Sequence, residues 1–137
     1  MGKKKHAISD SRLMNLWRKA VLINWNYTDP LYPYLHNGAQ WRDTSGESLQ
    51  CHHYVGRRKL LTRWSYKNGV PLTVESHQFA HTGRGNEILR SLMDVEWLDA
   101  MERITAKDYF AHKGMTDDEY RVLMMAELKG IIGGYDD

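Results

Sequence analysis

Four histidines and one asparagine lie within thirty positions of the chain, and their spacing suits metal chemistry; they are His52, His53, Asn68, His77 and His81. His77 and His81 are four residues apart, so on a helix their imidazoles occupy the same face. His52 and His53 are adjacent, so in an extended strand they point to opposite sides and only one of them can join the helical pair. The spacing therefore indicates three histidines around a metal ion and a fourth left unligated, the two parts that metal-assisted hydrolysis requires.

The other three histidines, His6, His36 and His112, lie outside this cluster. A lone histidine is most often a surface residue or a packed core residue, so we assign these three no chemistry. Chance clustering is the alternative interpretation for the set of four, and the matched gaps between its members count against it.

The composition is that of one soluble, globular domain. The chain has 137 residues, of which 42% are hydrophobic and 26% are charged, enough to bury a core without covalent staples. Its single cysteine, Cys51, excludes an internal disulfide and a four-cysteine zinc knuckle. No apolar run reaches the length of a membrane span, and the basic residues 1–5 are not followed by an apolar secretory segment. We therefore expect a cytoplasmic protein without a membrane partner.

Positive charge is concentrated near the histidines. Residues 1–90 carry 14 Lys and Arg against 6 Asp and Glu, whereas residues 91–137 carry 5 against 11. Such asymmetry is typical of a protein whose basic part binds a polyanion, with ordinary surface variation as the simpler alternative. The positions of the basic residues favour polyanion binding, because five lie between the two histidine pairs and one follows the second pair. They are Arg57, Arg58, Lys59, Arg63, Lys67 and Arg84.

A strand, a loop and a second strand are predicted before the second histidine pair. Residues 49–55 have the composition of a short β segment, and Gly56 begins the basic loop. Asn68 and Gly69 form a strong turn signal, and the apolar residues 70–72 follow them. His52 would then lie on the first strand, with Asn68 at the turn between the strands.

Helices are predicted to complete the fold. Thr73 can cap a helix that carries His77 and His81 and ends at the glycines of residues 82–85. Capping residues and apolar stripes predict further helices over residues 10–23, 86–104 and 116–132. We predict an α+β, mostly helical single domain, residues 1–137. Its parts are a flexible basic arm (1–9), a helix with an aromatic-rich irregular segment (10–48), the strand–strand–helix core (49–85) and C-terminal helices (86–137).

The order and gaps of these motifs resemble those of HNH endonucleases, whose core is the ββα-metal unit. The matching segments are CHHY at 51–54, TRW at 62–64, NG at 68–69 and SHQFAH at 76–81. His53, Asn68 and His77 match the three residues that name the family. His52 and His81 match the additional ligands of a His-rich version seen in colicin-type DNases. The sequence before the Asn-Gly pair is most similar to the corresponding sequence of small HNH proteins from phages and prophages.

The resemblance implies a metal-dependent DNA endonuclease. One divalent ion (zinc, nickel, manganese or magnesium) would be held by His52, His77 and His81. His53 would take a proton from the attacking water, and Asn68 would hold the loop that orients His53. The basic residues would contact the DNA backbone without reading its sequence. One such site nicks one strand. Phage DNA packaging or recombination, with a terminase or recombinase as partner, is the process we expect it to serve.

Two other functions stay open at this stage. A DNA-binding or assembly protein could hold a metal in the same unit for structure alone. The complete ligand set with His53 beside it favours the enzyme, since a structural site has no use for a free base. A secreted nuclease toxin is the weaker alternative, because 137 residues leave no room for receptor binding or translocation.

The sequence departs from many phage-type members in lacking their structural zinc. Those members bind it with two Cys-x-x-Cys pairs; here Thr73 and Ser76 stand where the second pair would be, and the first is missing. A structural zinc contributes strongly to folding. We expect the aromatic-rich residues 25–41 and the terminal helices to replace it, and Cys51 to be a buried strand residue rather than a ligand.

Overall fold

The computed structural model describes residues 6–133, which form an α+β fold with a small sheet. Its helices are α1 (Asp10–Asn24), α2 (Tyr32–Leu35), α3 (Leu60–Arg63), α4 (Val74–Ala80), α5 (Gly83–Leu92), α6 (Val95–Glu102), α7 (Ala106–Lys113) and α8 (Asp117–Ile132). The two strands are β1 (Gln50–His53) and β2 (Gly69–Leu72), and a 3₁₀ turn at Tyr66–Asn68 precedes the second. The start of the predicted basic arm, residues 1–5, lies outside the described residues.

The helix α1 forms the centre of one hydrophobic cluster. Ser9 caps it by accepting a hydrogen bond from the Arg12 amide, and the helix begins at Asp10 as predicted. Its inward residues recur at helical spacing and pack against Trp64 and against α8. Burial of each large aliphatic side chain stabilises the fold by roughly 1.5–3 kcal/mol. The buried members on α1 are Leu13, Leu16, Trp17, Ala20 and Val21.

A second hydrophobic cluster joins the sheet to the helices that follow it. Val70 and Leu72 of β2 contact Ala80 at the end of α4 and Leu89 of α5. Leu31 of the irregular segment is buried in the same cluster, so an aliphatic side chain joins that segment to the core, whereas Tyr34 and Trp41 are exposed. The cluster also contains Met93 and Leu98.

The two strands form an antiparallel ladder in which Gln50 pairs with Leu72 and His53 pairs with Gly69. An isolated pair of short strands is marginally stable in water, and this one is covered by α1 and α4. β2 is buried along its whole length. A Cβ built on Gly69 would lie 2.2 Å from Val21 Cγ2 and 2.7 Å from Trp17 Cζ2, so glycine is required where α1 crosses the sheet.

The connection between the strands differs from the prediction. The first strand ends at His53 instead of residue 55, and the basic loop contains the one-turn helix α3. Asn68 and Gly69 do not form a two-residue hairpin turn: Asn68 ends the 3₁₀ turn and Gly69 already belongs to β2. The basic loop that was predicted to begin at Gly56 is present, and the Asn68 side chain at its end bonds to Val55 and Thr62.

The C-terminal helices are shorter and more numerous than predicted. Thr82 caps α5 through the Gly85 amide, so the helix starts before Asn86. The predicted run to residue 104 is broken because the Asp94 side chain caps a new helix, α6. α7, capped by Thr105, was not predicted. The capping box of Thr116 and Glu119 at the start of α8 is confirmed.

Candidate functional site

Three of the predicted site histidines meet in space. His52 on β1, His77 on α4 and His81 at the end of α4 each offer a ring nitrogen, and these atoms all lie within 4.8 Å of one another. The Nε2 atoms of His77 and His81 are 3.3 Å apart. A tetrahedral zinc site with Zn–N bonds of about 2.0–2.1 Å places its ligand nitrogens roughly 3.3–3.4 Å apart. This group can hold a metal ion.

Local structure explains how the three rings converge. Thr73 accepts a hydrogen bond from the Ser76 amide, and this N-cap starts α4 where the sequence predicted it. His81 is the residue after the last full turn, but its backbone remains in the helical region, so it stays on the same face as His77. β1 runs beside α4 and brings the ring centroid of His52 within 4.8 Å of that of His77.

The electrostatics of the group favour the form of histidine that binds metal. Burial lowers the pKa of His52 to about 4, and the neighbouring His77 and His81 add to the effect. Burial also lowers the pKa of His77, with His81 contributing. His52 and His77 are therefore neutral at pH 7, and neutral imidazole is the ligating species. Three nitrogen donors without a carboxylate fit zinc or nickel better than magnesium, which prefers oxygen ligands.

His53 faces a different part of the protein. Its ring stacks on Trp17 of α1 with centroids 3.8 Å apart and planes 5° from parallel. Its Nε2 lies 3.0 Å from the Arg63 carbonyl oxygen. Because a carbonyl can only accept, Nε2 carries the proton and Nδ1 keeps its lone pair. Nδ1 has no hydrogen-bond partner among residues 6–133, so a lone pair is left for chemistry.

The pKa of His53 lies below the ordinary histidine value of 6.5. Burial lowers it to about 4; the hydrogen bond to the Arg63 backbone opposes this, and the charges of Arg57 and Arg63 lower it further. The ring is neutral at pH 7. It is a weaker base than an exposed histidine.

Asn68 is buried and holds the loop at two points. Its Oδ1 accepts from the Val55 amide at 2.7 Å, and its Nδ2 donates to the carbonyls of Val55 at 2.9 Å and Thr62 at 3.1 Å. Thr62 is followed by Arg63, whose carbonyl contacts His53. Asn68 thus fixes the backbone segment that carries the hydrogen-bond partner of His53.

The six predicted DNA-binding residues fall into two groups. Arg57, Arg58 and Arg63 line one cleft of about 340 Å³, with Asp10 at its edge. Arg63 Nε also donates a hydrogen bond to the Arg57 carbonyl, and this bond joins two parts of the basic loop. The other three lie apart from that cleft: Lys59 Nζ donates to the Met101 carbonyl, Lys67 pairs with Asp94 at 3.4 Å, and Arg84 is exposed near the start of α5.

Three residues that contact the site were not identified from the sequence: Trp17, which stacks on His53, Asp29, which bonds to the Thr73 cap of α4, and Gln50, whose Oε1 lies 2.8 Å from His77 Nδ1. Trp17 belongs to an apolar helical stripe that indicates only packing. Asp29 lies in the irregular segment, and nothing in its local sequence marks its contacts. The only available signal for Gln50 is its place two residues before His52, since alternate residues of a strand share a face. Cys51, on the opposite face, directs its thiol to the Arg18 carbonyl and is no ligand.

No protein-family model, curated protein or solved structure matches this chain. Within residues 6–133, no helix combines the length and the apolar character needed to cross a bilayer.

Proposed function

We propose that this protein is a metal-dependent endonuclease that hydrolyses DNA phosphodiester bonds and has a ββα-metal core of the HNH type. The observation that carries the proposal is the meeting of His52 with His77 and His81, whose ring nitrogens lie within 4.8 Å. His53 follows on the same strand and keeps an unprotonated ring nitrogen. A purely structural site needs four protein ligands and no such neighbour.

Each site residue has a role in the proposed reaction. The metal ion, when bound, supplies a Lewis acid that stabilises the charge developing on the leaving oxygen. His52, His77 and His81 hold the ion. His53 takes a proton from the attacking water at Nδ1, while its Nε2–H bond to the Arg63 carbonyl keeps the ring in place. Asn68 keeps that carbonyl in position through its bonds across the loop.

The arginine cleft gives the proposal its substrate class. Arg57, Arg58 and Arg63 present guanidinium groups, which pair with phosphate oxygens in a two-pronged geometry. Two of them, Arg57 and Arg63, also lower the pKa of His53. A phosphate backbone bound at this cleft would offset their charge, so His53 would gain proton affinity when the substrate is in place.

A single site of this kind cuts one strand, so the expected product is nicked DNA. Phage DNA packaging or recombination is the process we propose for such a nickase, with a terminase or recombinase as the partner. The charge distribution fits a protein that binds nucleic acid through its N-terminal two thirds, because the positive excess lies in residues 1–90.

The second candidate is a DNA-binding or assembly protein whose metal serves structure alone. One observation favours it: His53 packs flat against the buried Trp17, as a histidine of the core would. In that case replacing His53 would change the free energy of unfolding, and no DNA cleavage would be seen with either the wild type or the variant. The two candidates therefore differ in what the His53→Gln variant does to DNA.

The test is cleavage of supercoiled plasmid by the metal-stripped full chain, with Zn²⁺, Ni²⁺, Mn²⁺ or Mg²⁺ added singly. We expect open circles with the wild type and no cleavage with His53→Gln or His77→Ala. His112→Ala is the matched control, since His112 is exposed on α7 and lies outside the histidine group. DNA binding without cleavage by any metal form would reject the nuclease and leave the structural-metal alternative.

A further inference from the structure

The side chain of Gln50 makes a direct contact with the metal group. Gln50 and His52 are two residues apart on β1, so both lie on the face of the strand that meets α4. The Oε1 atom of Gln50 is 2.8 Å from Nδ1 of His77. The strand therefore presents two groups to the helix, a ligand in His52 and a hydrogen-bonding amide in Gln50.

This contact decides which nitrogen of His77 is available for a metal. An amide oxygen only accepts hydrogen bonds, so Nδ1 of His77 carries the proton in the neutral ring. Nε2 then keeps its lone pair, and it is this atom that lies 3.3 Å from Nε2 of His81. In the opposite tautomer, the lone pair of His77 would point at Gln50 and away from the other two histidines.

We propose that Gln50 is a positioning residue for metal binding: it holds His77 in the tautomer and orientation that present Nε2 to the ion. The inference builds on the metal site of the proposed function and adds a residue that the motif does not contain. Loss of the outer hydrogen-bond partner of a ligating histidine lowers metal affinity by about 10- to 100-fold. A neutral amide, unlike a carboxylate, also leaves the full charge of a bound ion available to an anionic substrate.

Gln50 is well placed for a clean test because its side chain is not part of the hydrophobic core. The residue is exposed, and its place in the ladder opposite Leu72 depends on backbone atoms. Gln50→Leu keeps a similar volume and removes the acceptor, whereas Gln50→Glu keeps an acceptor at the same position. Gln78→Leu makes the same change at an exposed position of α4, beside His77, and serves as the matched control.

The experiment measures Zn²⁺ affinity of the metal-stripped full chain by calorimetry and the His77 tautomer by ¹⁵N NMR, both at pH 7.5. We expect Gln50→Leu to weaken binding by roughly 10- to 100-fold and to mix the His77 tautomers. Gln50→Glu should bind at least as tightly as the wild type and keep the Nδ1–H form. Gln78→Leu should leave both readouts unchanged.

Two results would overturn the proposal. One is equal zinc affinity in Gln50→Leu and Gln78→Leu, with the His77 tautomer unchanged. The other is an absence of zinc binding in the wild type, which would remove the metal centre and the role of Gln50 together. Neither readout depends on DNA cleavage. Zinc binding that weakens in Gln50→Leu, together with no DNA cleavage by the wild type, would therefore reject only the nuclease.

Discussion

Asp29 accepts two hydrogen bonds from Thr73, one from its backbone amide and one from its hydroxyl, each at 2.9 Å. Its other carboxylate oxygen accepts from the amides of Leu31 and Tyr32. The side chain is almost fully buried, at 2% exposure. This carboxylate joins the irregular segment to the N-cap of α4, the helix that carries His77.

Replacing Asp29 should destabilise the protein strongly. Asp29→Ala removes the acceptor of the Leu31 amide and of the Thr73 amide and hydroxyl, while the Tyr32 amide keeps its bond to the Asp29 carbonyl, and we expect the free energy of unfolding to fall by about 3 kcal/mol. Urea unfolding measures the change. Asp43→Ala is the matched control, since Asp43 also accepts four hydrogen bonds, all within an exposed local loop from Ser45 and Ser48. A loss from Asp43→Ala as large as that from Asp29→Ala would contradict this role.

Gly69 should tolerate no side chain. In Gly69→Ala, the new Cβ would overlap Val21 and Trp17, and we expect a loss of roughly 1–3 kcal/mol from overpacking. Because Trp17 also stacks on His53, cleavage should decline in the same variant under conditions where it remains folded. Gly56→Ala, whose Cβ meets nothing within 4 Å, is the control for both readouts. Equal stability of the two variants, by thermal unfolding, would show that α1 does not press on β2.

Glu127 should make the protein less stable at neutral pH than at acid pH, relative to a glutamine variant. Burial raises its pKa above 4.5, against the opposing effects of Lys67 and Ser65, and its Oε2 has no hydrogen-bond partner in the described part of the chain. A folded-state pKa above the unfolded one favours the protonated form. The penalty is therefore absent below pH 4.5 and grows as pH rises through the folded-state value.

Glu127→Gln should accordingly be more stable than the wild type at pH 7, and the difference should vanish near pH 4. Urea unfolding of both proteins at each pH checks this, since other carboxylates titrate alike in the two. A variant less stable than the wild type at pH 7 would show that attraction to Lys67 outweighs the cost of burial.

The arginine cleft should dominate DNA affinity. Replacing Arg57 or Arg58 with Gln should weaken binding about equally on DNA of unrelated sequences. Each lost phosphate contact should reduce the slope of log K against log salt concentration by about 0.9. Lys59→Gln should have a smaller effect on the salt dependence, because the Lys59 ammonium is bound to the Met101 carbonyl. Fluorescence anisotropy across a salt series provides the measurement.

The control for this series is Lys107→Gln, which removes one positive charge at an exposed position on α7, as each arginine replacement does when made singly. A slope change in Lys107→Gln equal to that of the arginine variants would attribute binding to net charge and not to the cleft. A loss confined to one DNA sequence would instead indicate base contacts.

The features that the sequence predicted are local ones. Helical spacing placed His77 beside His81, and strand alternation separated His52 from His53, because both rules depend on a few neighbouring residues. The Thr73 cap and the Thr116 capping box are recognisable for the same reason. The break between α5 and α6 was missed because Asp94 interrupts a continuous apolar stripe by capping, which periodicity does not register.

The contacts that support the site join distant parts of the chain. Trp17 and His53 are 36 positions apart, and Asp29 and Thr73 are 44 apart. Their partners could not be predicted because no periodicity links them; each contact exists only once α1 and the irregular segment have packed on the sheet. The lowered pKa of His53 also depends on that packing, which buries the ring.

The stack of Trp17 on His53 limits how far the strand–strand–helix unit can be treated as a module. His52, His77 and His81, the three proposed metal ligands, all belong to residues 49–85. Trp17, which stacks on His53, belongs to α1 and lies outside that segment. Transplanting the segment into another scaffold would carry the three proposed ligands without Trp17 behind His53 and without Asp29 at the cap of α4, so the site depends on two parts of the chain outside the strand–strand–helix unit.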